Sequence, residues 1–165
     1  MANFIDAAGV EMQMKCLAVL IAWTSLSGQS LMILPAPPLR GGAGLCQIMI
    51  AFPAAVQRAA ALQWRVSTLG GAILSVTVSS AAEEVGKSLV CAQPRDAQVA
   101  PGNVYRCILF GGGREISDGP VAVVRYKAAE DRNEVTLRID EVLGATAKGE
   151  AIPFAEVGLT IGVRR

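Results

Sequence analysis

The chain has 165 residues, a formal net charge of +1 and no histidine, and 52% of its residues are hydrophobic. The length fits one domain that buries about two-thirds of its unfolded surface on folding, and the small charge gives no basic surface for nucleic acid or for an anionic membrane. The absence of histidine excludes the usual general base, the serine–histidine and cysteine–histidine nucleophile pairs and most zinc sites, so we expect no cofactor and no metal.

An export signal is predicted near the start of the chain. From Met12 to Leu39 the only charged residue is Lys15, which precedes the apolar run CLAVLIAW and then a small, polar run that ends at Ser30. This order predicts a signal peptide over residues 14–30. A retained transmembrane anchor is the alternative, although the polar run interrupts the apolar stretch before the about 20 residues that a spanning helix needs.

The two flanks of this segment are interpreted separately. Residues 1–13 carry Asp6 and Glu11 ahead of the basic start, which is unusual for a signal peptide. We interpret them as a misassigned start or as a disordered extension. Residues 31–165 are expected to form the domain. Membrane contact is expected only if the N-terminal segment is retained.

Cysteine use agrees with export. Cys16 would leave with the signal peptide, so three cysteines remain. Cys91 and Cys107 lie on segments predicted to be neighbouring strands and are the best candidates for a disulfide. Cys46 shares a face with Ile48 and is predicted to be a buried, inert thiol, the alternative being a reactive one. We therefore expect a secreted or periplasmic protein, or one of the cell envelope.

Beyond Ser30 the chain shows short segments of alternating apolar and polar residues between turns rich in glycine, proline and aspartate. One helical turn is predicted over residues 81–86. The pattern is typical of an all-β antiparallel sandwich. The nine predicted strands are residues 31–34, 45–52, 60–66, 73–79, 88–92, 104–110, 121–128, 134–142 and 157–163.

The predicted strand 121–128 supplies the candidate binding residues. Alternation places Ala122, Val124, Tyr126 and Ala128 on the inward face. Two valines on the outward face predict an adhesive patch. The four outward candidates are Val121, Val123, Arg125 and Lys127.

Other side chains have simpler interpretations. Trp64 shares the inward face of its predicted strand with Leu62 and Val66, so core packing is favoured over sugar stacking. The glycine runs 41–44 and 111–113 lack the spacing of a phosphate-binding loop and are interpreted as turns. A hydrolase would need two carboxylates held across a cleft. The paired acids, which fall in predicted turns, are Glu83 with Glu84, Glu115 with Asp118, and Glu130 with Asp131.

Several of these segments together resemble the cohesin-type domain of secreted bacterial proteins. They are AALQWRV (60–66), GKSLVC (86–91), YRCILFG (105–111), ISDGPVAVVRY (116–126) and LGATAKGEAIP (143–153). The most specific parts are Asp118-Gly119, which leads into an alternating strand, and the strand that holds Trp64. The resemblance covers residues 31–163 and implies a nine-stranded jelly-roll sandwich related to carbohydrate-binding modules.

The best-known cohesins bind dockerin domains through one sheet face. The resemblance therefore implies an exported module that binds a protein partner or a polysaccharide and is not an enzyme. A structural subunit of an envelope or extracellular assembly, anchored by an uncleaved N-terminal segment, is the alternative. No dockerin-contact residue is matched in this sequence, and a fold does not by itself fix a function.

Overall fold

The computed structural model describes residues 30–35, 43–51, 58–94 and 103–162. The predicted extension and signal peptide lie outside these ranges, except for Ser30. The described residues form ten strands and one short helix. In chain order they are β1 (Ser30–Pro35), β2 (Ala43–Ala51), β3 (Ala61–Leu69), β4 (Gly71–Val78), α1 (Ser80–Glu84), β5 (Ser88–Ala92), β6 (Val104–Phe110), β7 (Gly119–Ala128), β8 (Glu134–Ala145), β9 (Ala151–Pro153) and β10 (Val157–Gly162).

Two antiparallel sheets pack face to face as a β-sandwich. The first has four strands in the order β1-β2-β7-β4, and the second has six, in the order β10-β8-β3-β6-β5 with β9 paired to β8. The core lies between them because every second residue of the central strands points inward. Trp64, Leu62 and Val66 of β3 are buried there, as predicted. Opposite them, Ala122, Val124 and Tyr126 of β7 are buried too.

All nine predicted strands are present, and the tenth, β9, was not predicted. It has only three residues, too few to show a period of two, and it exists because Leu143, Gly144 and Ala145 of β8 pair with it. The predicted helical turn corresponds to α1. The Ser79 hydroxyl accepts a hydrogen bond from the backbone N–H of Ala82 at 3.2 Å and so caps its first turn.

The outward position predicted for Val121 is wrong, since this side chain is 1% exposed. In the pairing of β2 with β7, Ile48 faces Ala122 whereas Met49 faces Pro120, so Val121 is an extra residue on β7. Such a β-bulge lets two consecutive side chains point to the same side of a sheet. Val121 and Ala122 are therefore both buried, and simple alternation fails at this point.

The predictions for Cys91, Cys107 and Cys46 are confirmed, and Cys16 lies outside the described residues. Cys91 and Cys107 face each other on β5 and β6 and form a disulfide, which lies on the inward side next to Trp64, the partner of Cys107 on β3. Cys46 is a buried free thiol, and burial raises its pKa to about 12. Because the thiolate is the nucleophile, this buried thiol is inert at neutral pH.

Candidate binding surface

Exposed hydrophobic side chains concentrate on the outer face of the six-stranded sheet. Six large hydrophobic residues of the described ranges are exposed, and five of them lie on this one face. Leu69 lies at the end of β3, opposite Thr136 of β8. The other four are called the apolar patch: Val90 (55% exposed), Ile108 (45%), Phe110 (43%) and Leu143 (48%).

The strand register brings the patch together. Val90 of β5 and Gln63 of β3 flank Ile108 of β6, and Gln63 in turn faces Leu143 of β8. With strands about 4.8 Å apart, this row runs roughly 15 Å across the sheet. The patch therefore draws on three strands, and the polar Gln63 of β3 lies between Ile108 and Leu143.

Phe110 stands at one end of the patch among small neighbours. It faces Ser88 on β5, and the pairing of Leu109 with Leu62 makes Ala61 its neighbour on β3. Ala61 faces Ala145, which faces Ala151 of β9. These side chains are short, and the phenyl ring of Phe110 is 43% exposed beside them.

A cluster of charged side chains borders the opposite end of the patch. The Arg65 guanidinium donates to both carboxylate oxygens of Asp140, with Nε 2.6 Å from Oδ1 and Nη2 2.9 Å from Oδ2. Arg138 Nε lies 3.2 Å from Asp140 Oδ2, and its Nη2 lies 2.6 Å from Glu156 Oε2. The hydrogen bond to Asp140 raises the pKa of Arg65. Asp140 is thus a buried carboxylate held by two guanidinium groups.

Glu141 completes this ion-pair cluster and is the residue with the most unusual backbone. Its φ of 50° is the only positive value at a non-glycine residue in the described ranges. Its carboxylate lies 2.8 Å from Arg65 Nη1 and 3.4 Å from Arg106 Nη2. Three arginines therefore meet three carboxylates (Asp140, Glu141 and Glu156), so the cluster has no net formal charge.

The backbone at Glu141 also sets the phase of β8. Gln63 faces Leu143 and Arg65 faces Asp140, so two residues of β8 stand opposite Trp64 alone. This bulge puts Asp140 and Glu141 together on the outer face, after which Val142 is buried and Leu143 is exposed. The same irregularity thus builds the ion-pair cluster and brings Leu143 into the apolar patch.

The sequence-predicted binding residues lie elsewhere. Arg125 and Lys127 are exposed on β7, in the other sheet, and Val123 beside them is half-buried. The structure does not bring these residues together with the apolar patch. The signal for the patch was nonetheless present, because an inward Cys107 requires Arg106, Ile108 and Phe110 to face outward.

Asp118 and Gly119, the motif residues at the start of β7, have local structural roles. Asp118 is exposed, and its Oδ2 lies 3.9 Å from Arg58 Nη2. Gly119 has a φ of 123°, which favours glycine. The acidic residues weighed for hydrolysis are exposed, and none of them belongs to the ion-pair cluster. They are Glu83, Glu84, Glu115, Asp118, Glu130 and Asp131.

In the ranges that the structure describes, no group of three or more histidine, cysteine, aspartate or glutamate side chains could hold a metal ion. Within the same ranges, no helix is long and apolar enough to cross a membrane.

Solved structures resemble this sandwich over most of its length. A cohesin module of a family 33 glycoside hydrolase from Clostridium perfringens superimposes with a TM-score of 0.66 at 12% identity, covering 84% of this chain and 98% of the module. A non-cellulosomal cohesin from Archaeoglobus fulgidus gives a TM-score of 0.62 at 13% identity, covering 84% and 92%. The chain has the cohesin fold.

This fold occurs in proteins solved with bound partners. The sixth cohesin of scaffoldin B from Acetivibrio cellulolyticus, in complex with the Cel5 dockerin, superimposes on this chain with a TM-score of 0.59 at 9% identity, covering 83% of this chain and 99% of that cohesin. No sequence model of a known family and no curated protein sequence matches the chain. The cohesin fold is therefore established here by structure.

Proposed function

We propose that this protein is a non-catalytic module that binds another protein through the outer face of its six-stranded sheet. The single observation that carries the proposal is the concentration of five of the six exposed large hydrophobics of the described ranges on that face. Contiguous exposed apolar surface next to polar residues marks interaction sites. The dockerin complex of a similar fold supports a protein partner.

The chemistry of the face fits a protein interface. An aromatic ring and aliphatic side chains supply the apolar centre, and arginines, which are enriched at interfaces, supply the polar border. The arginines and carboxylates of the ion-pair cluster are already paired with one another. A partner can therefore cover part of this cluster without leaving an unpaired charge, which is the costly outcome at an interface.

The test uses two charge-introducing variants and a matched control. Ile108→Asp and Phe110→Asp place a carboxylate in the apolar patch, while Arg125→Asp places one on the exposed β7 position of the other sheet. Wild-type and variant proteins are immobilised and exposed to the extracellular fraction of the source organism. The proposal expects a partner protein that wild type and Arg125→Asp retain and that both patch variants lose.

The outcomes that contradict the proposal are equally specific. Retention by the patch variants combined with loss by Arg125→Asp would move the contact to β7. Sedimentation of the wild-type protein with insoluble polysaccharide, unaffected by the patch variants, would favour a carbohydrate ligand instead.

We further propose that the protein works outside the cytoplasm. The Cys91–Cys107 disulfide supports this, since such bonds persist in oxidising compartments. Mass spectrometry of the native protein tests it. We expect a mature N-terminus near residue 31 and no alkylation of Cys91 or Cys107. Retention of residues 14–30 would favour the anchored structural subunit, and reduced cysteines would contradict export.

A further inference from the structure

A buried lysine at one end of the sandwich has a ring of main-chain acceptors. Lys87 lies directly before β5 and is 3% exposed. Its Nζ donates to the carbonyl oxygens of Ala60 at 2.8 Å, Gly111 at 2.7 Å and Arg114 at 2.5 Å. An ammonium group has three N–H donors, so these three acceptors satisfy all of them.

The three acceptors come from separate parts of the chain. Ala60 immediately precedes β3, Gly111 immediately follows β6, and Arg114 lies in the loop beyond it. This loop is packed closely against the segment after α1, because a Cβ added to Gly112 would lie 2.7 Å from the carbonyl oxygen of Val85. The ammonium therefore joins the loop to the ends of two central strands.

Carbonyl dipoles, rather than a carboxylate, face the positive charge of the Lys87 ammonium group. Among the described residues no carboxylate lies within 4.0 Å of Lys87 Nζ, since none of the ion pairs of that part of the chain includes it. Burial lowers the pKa of Lys87, whereas three acceptors favour its protonated form. Three converging carbonyl oxygens without a donor would be unsatisfied polar groups in a dry site, which is unfavourable.

We propose that the carbonyl oxygens of Ala60, Gly111 and Arg114 form a cation-binding cage that Lys87 fills with its own ammonium group, and that a small primary alkylammonium ion binds there when the side chain is removed. Lys87→Ala keeps Cβ and removes three carbons and the nitrogen. The n-propylammonium ion has the same three carbons and nitrogen, with the same three N–H donors. This inference is independent of the proposed function.

The first experiment measures rescue of Lys87→Ala by thermal unfolding. The variant is expected to lose about 8 °C of Tm, because three buried acceptors lose their donors. At 100 mM, n-propylammonium chloride should restore at least about 2 °C relative to tetramethylammonium chloride, since binding to the folded state alone raises stability. Tetramethylammonium is the control because it is a cation without N–H donors.

A second variant distinguishes binding to the carbonyl cage from simple filling of the space that the Lys87 side chain leaves. Lys87→Met fills the space of the lysine side chain with a side chain of similar length that has no N–H donors. It should be destabilised to a similar degree, and n-propylammonium should not rescue it. Equal recovery of Lys87→Met and Lys87→Ala, or equal recovery of Lys87→Ala with the two salts, would overturn the proposal.

The wild-type protein provides a readout that does not depend on the variants folding. With uniform ¹³C and ¹⁵N labelling, the Lys87 Nζ should give a slowly exchanging ammonium signal with couplings to the carbonyl carbons of Ala60, Gly111 and Arg114. The exposed Lys127 and Lys148 serve as internal controls and should exchange rapidly. A Lys87 signal that exchanges as fast as those of Lys127 and Lys148 would overturn the proposal.

Discussion

Arg65 and Asp140 face each other on β3 and β8, and two parallel hydrogen bonds of 2.6 and 2.9 Å join the guanidinium to the carboxylate. The Asp140 side chain is 3% exposed, whereas that of Arg65 is 35% exposed. The carboxylate therefore depends on its arginine partners for solvation. The pair lies directly beside the bulge at Glu141, after which Leu143 is exposed.

Replacing Asp140 with alanine should destabilise the protein by about 2 kcal/mol. The substitution leaves Arg65 and Arg138 without their shared carboxylate, and partial exposure of both arginines limits the loss to less than that for a fully buried pair. Urea unfolding measures it. Asp131→Ala, at an exposed ion pair, is the control and should change stability by less than about 0.5 kcal/mol. Equal effects of the two substitutions would contradict this role of Asp140.

The protein should be more stable with glycine than with alanine at position 141. Both substitutions remove the ion pairs with Arg65 and Arg106, so their difference isolates the backbone. At a φ of 50°, glycine avoids a steric cost of about 1 kcal/mol that alanine retains. In urea unfolding, we expect the free energy of unfolding of Glu141→Gly to exceed that of Glu141→Ala by about 1 kcal/mol. No difference between them would mean that β8 loses this bulge in the variants.

The two bulges explain most of what sequence reasoning missed. Alternation correctly predicted the buried positions Ala122, Val124 and Tyr126, which lie where β7 is regular. It failed at Val121 because an extra residue there shifts the phase, and the sequence contains no glycine at that position to signal it. Glu141 likewise occupies a backbone conformation that glutamate seldom adopts, so pattern alone could not predict that Leu143 faces solvent.

The candidate surface was missed for a different reason. The face of β6 could be predicted, because a disulfide at Cys107 requires Ile108 and Phe110 to point outward. Their contact with residues of other strands depends on strand order, which brings β6 beside β3 and β3 beside β8. Alternation within one strand does not contain this information. The sequence therefore placed the candidate binding residues on β7, whereas the exposed hydrophobic side chains of the described ranges concentrate on the other sheet.

Cys46 should make stability fall as pH rises above 9. Burial raises the pKa of its thiol from 9.0 to about 12, so between these values the unfolded chain releases a proton that the folded chain keeps. Each pH unit in this window should lower the free energy of unfolding by about 1.4 kcal/mol. Urea unfolding of wild type and Cys46→Ala from pH 8 to 11 should give curves that converge as pH rises. Parallel curves would contradict the buried thiol.

The Cys91–Cys107 disulfide should stabilise the fold by about 3 kcal/mol, since it closes a loop over a sequence separation of 16 residues. The double variant Cys91→Ala/Cys107→Ala measures this contribution in urea. A single Cys46→Ala variant keeps the disulfide and serves as the control. Unchanged stability of the double variant relative to that control would show that β5 stays paired to β6 without the bond.

We propose that a partner protein covers the outer face of the six-stranded sheet, and side-chain footprinting tests this most directly. The chain is labelled with a photoactivated carbene in the presence and absence of the protein it captures, and labelling is quantified by residue. We predict protection at Val90, Ile108, Phe110 and Leu143 and unchanged labelling at Arg125 and Lys127. Protection at Arg125 and Lys127 with an unprotected apolar patch would contradict the account.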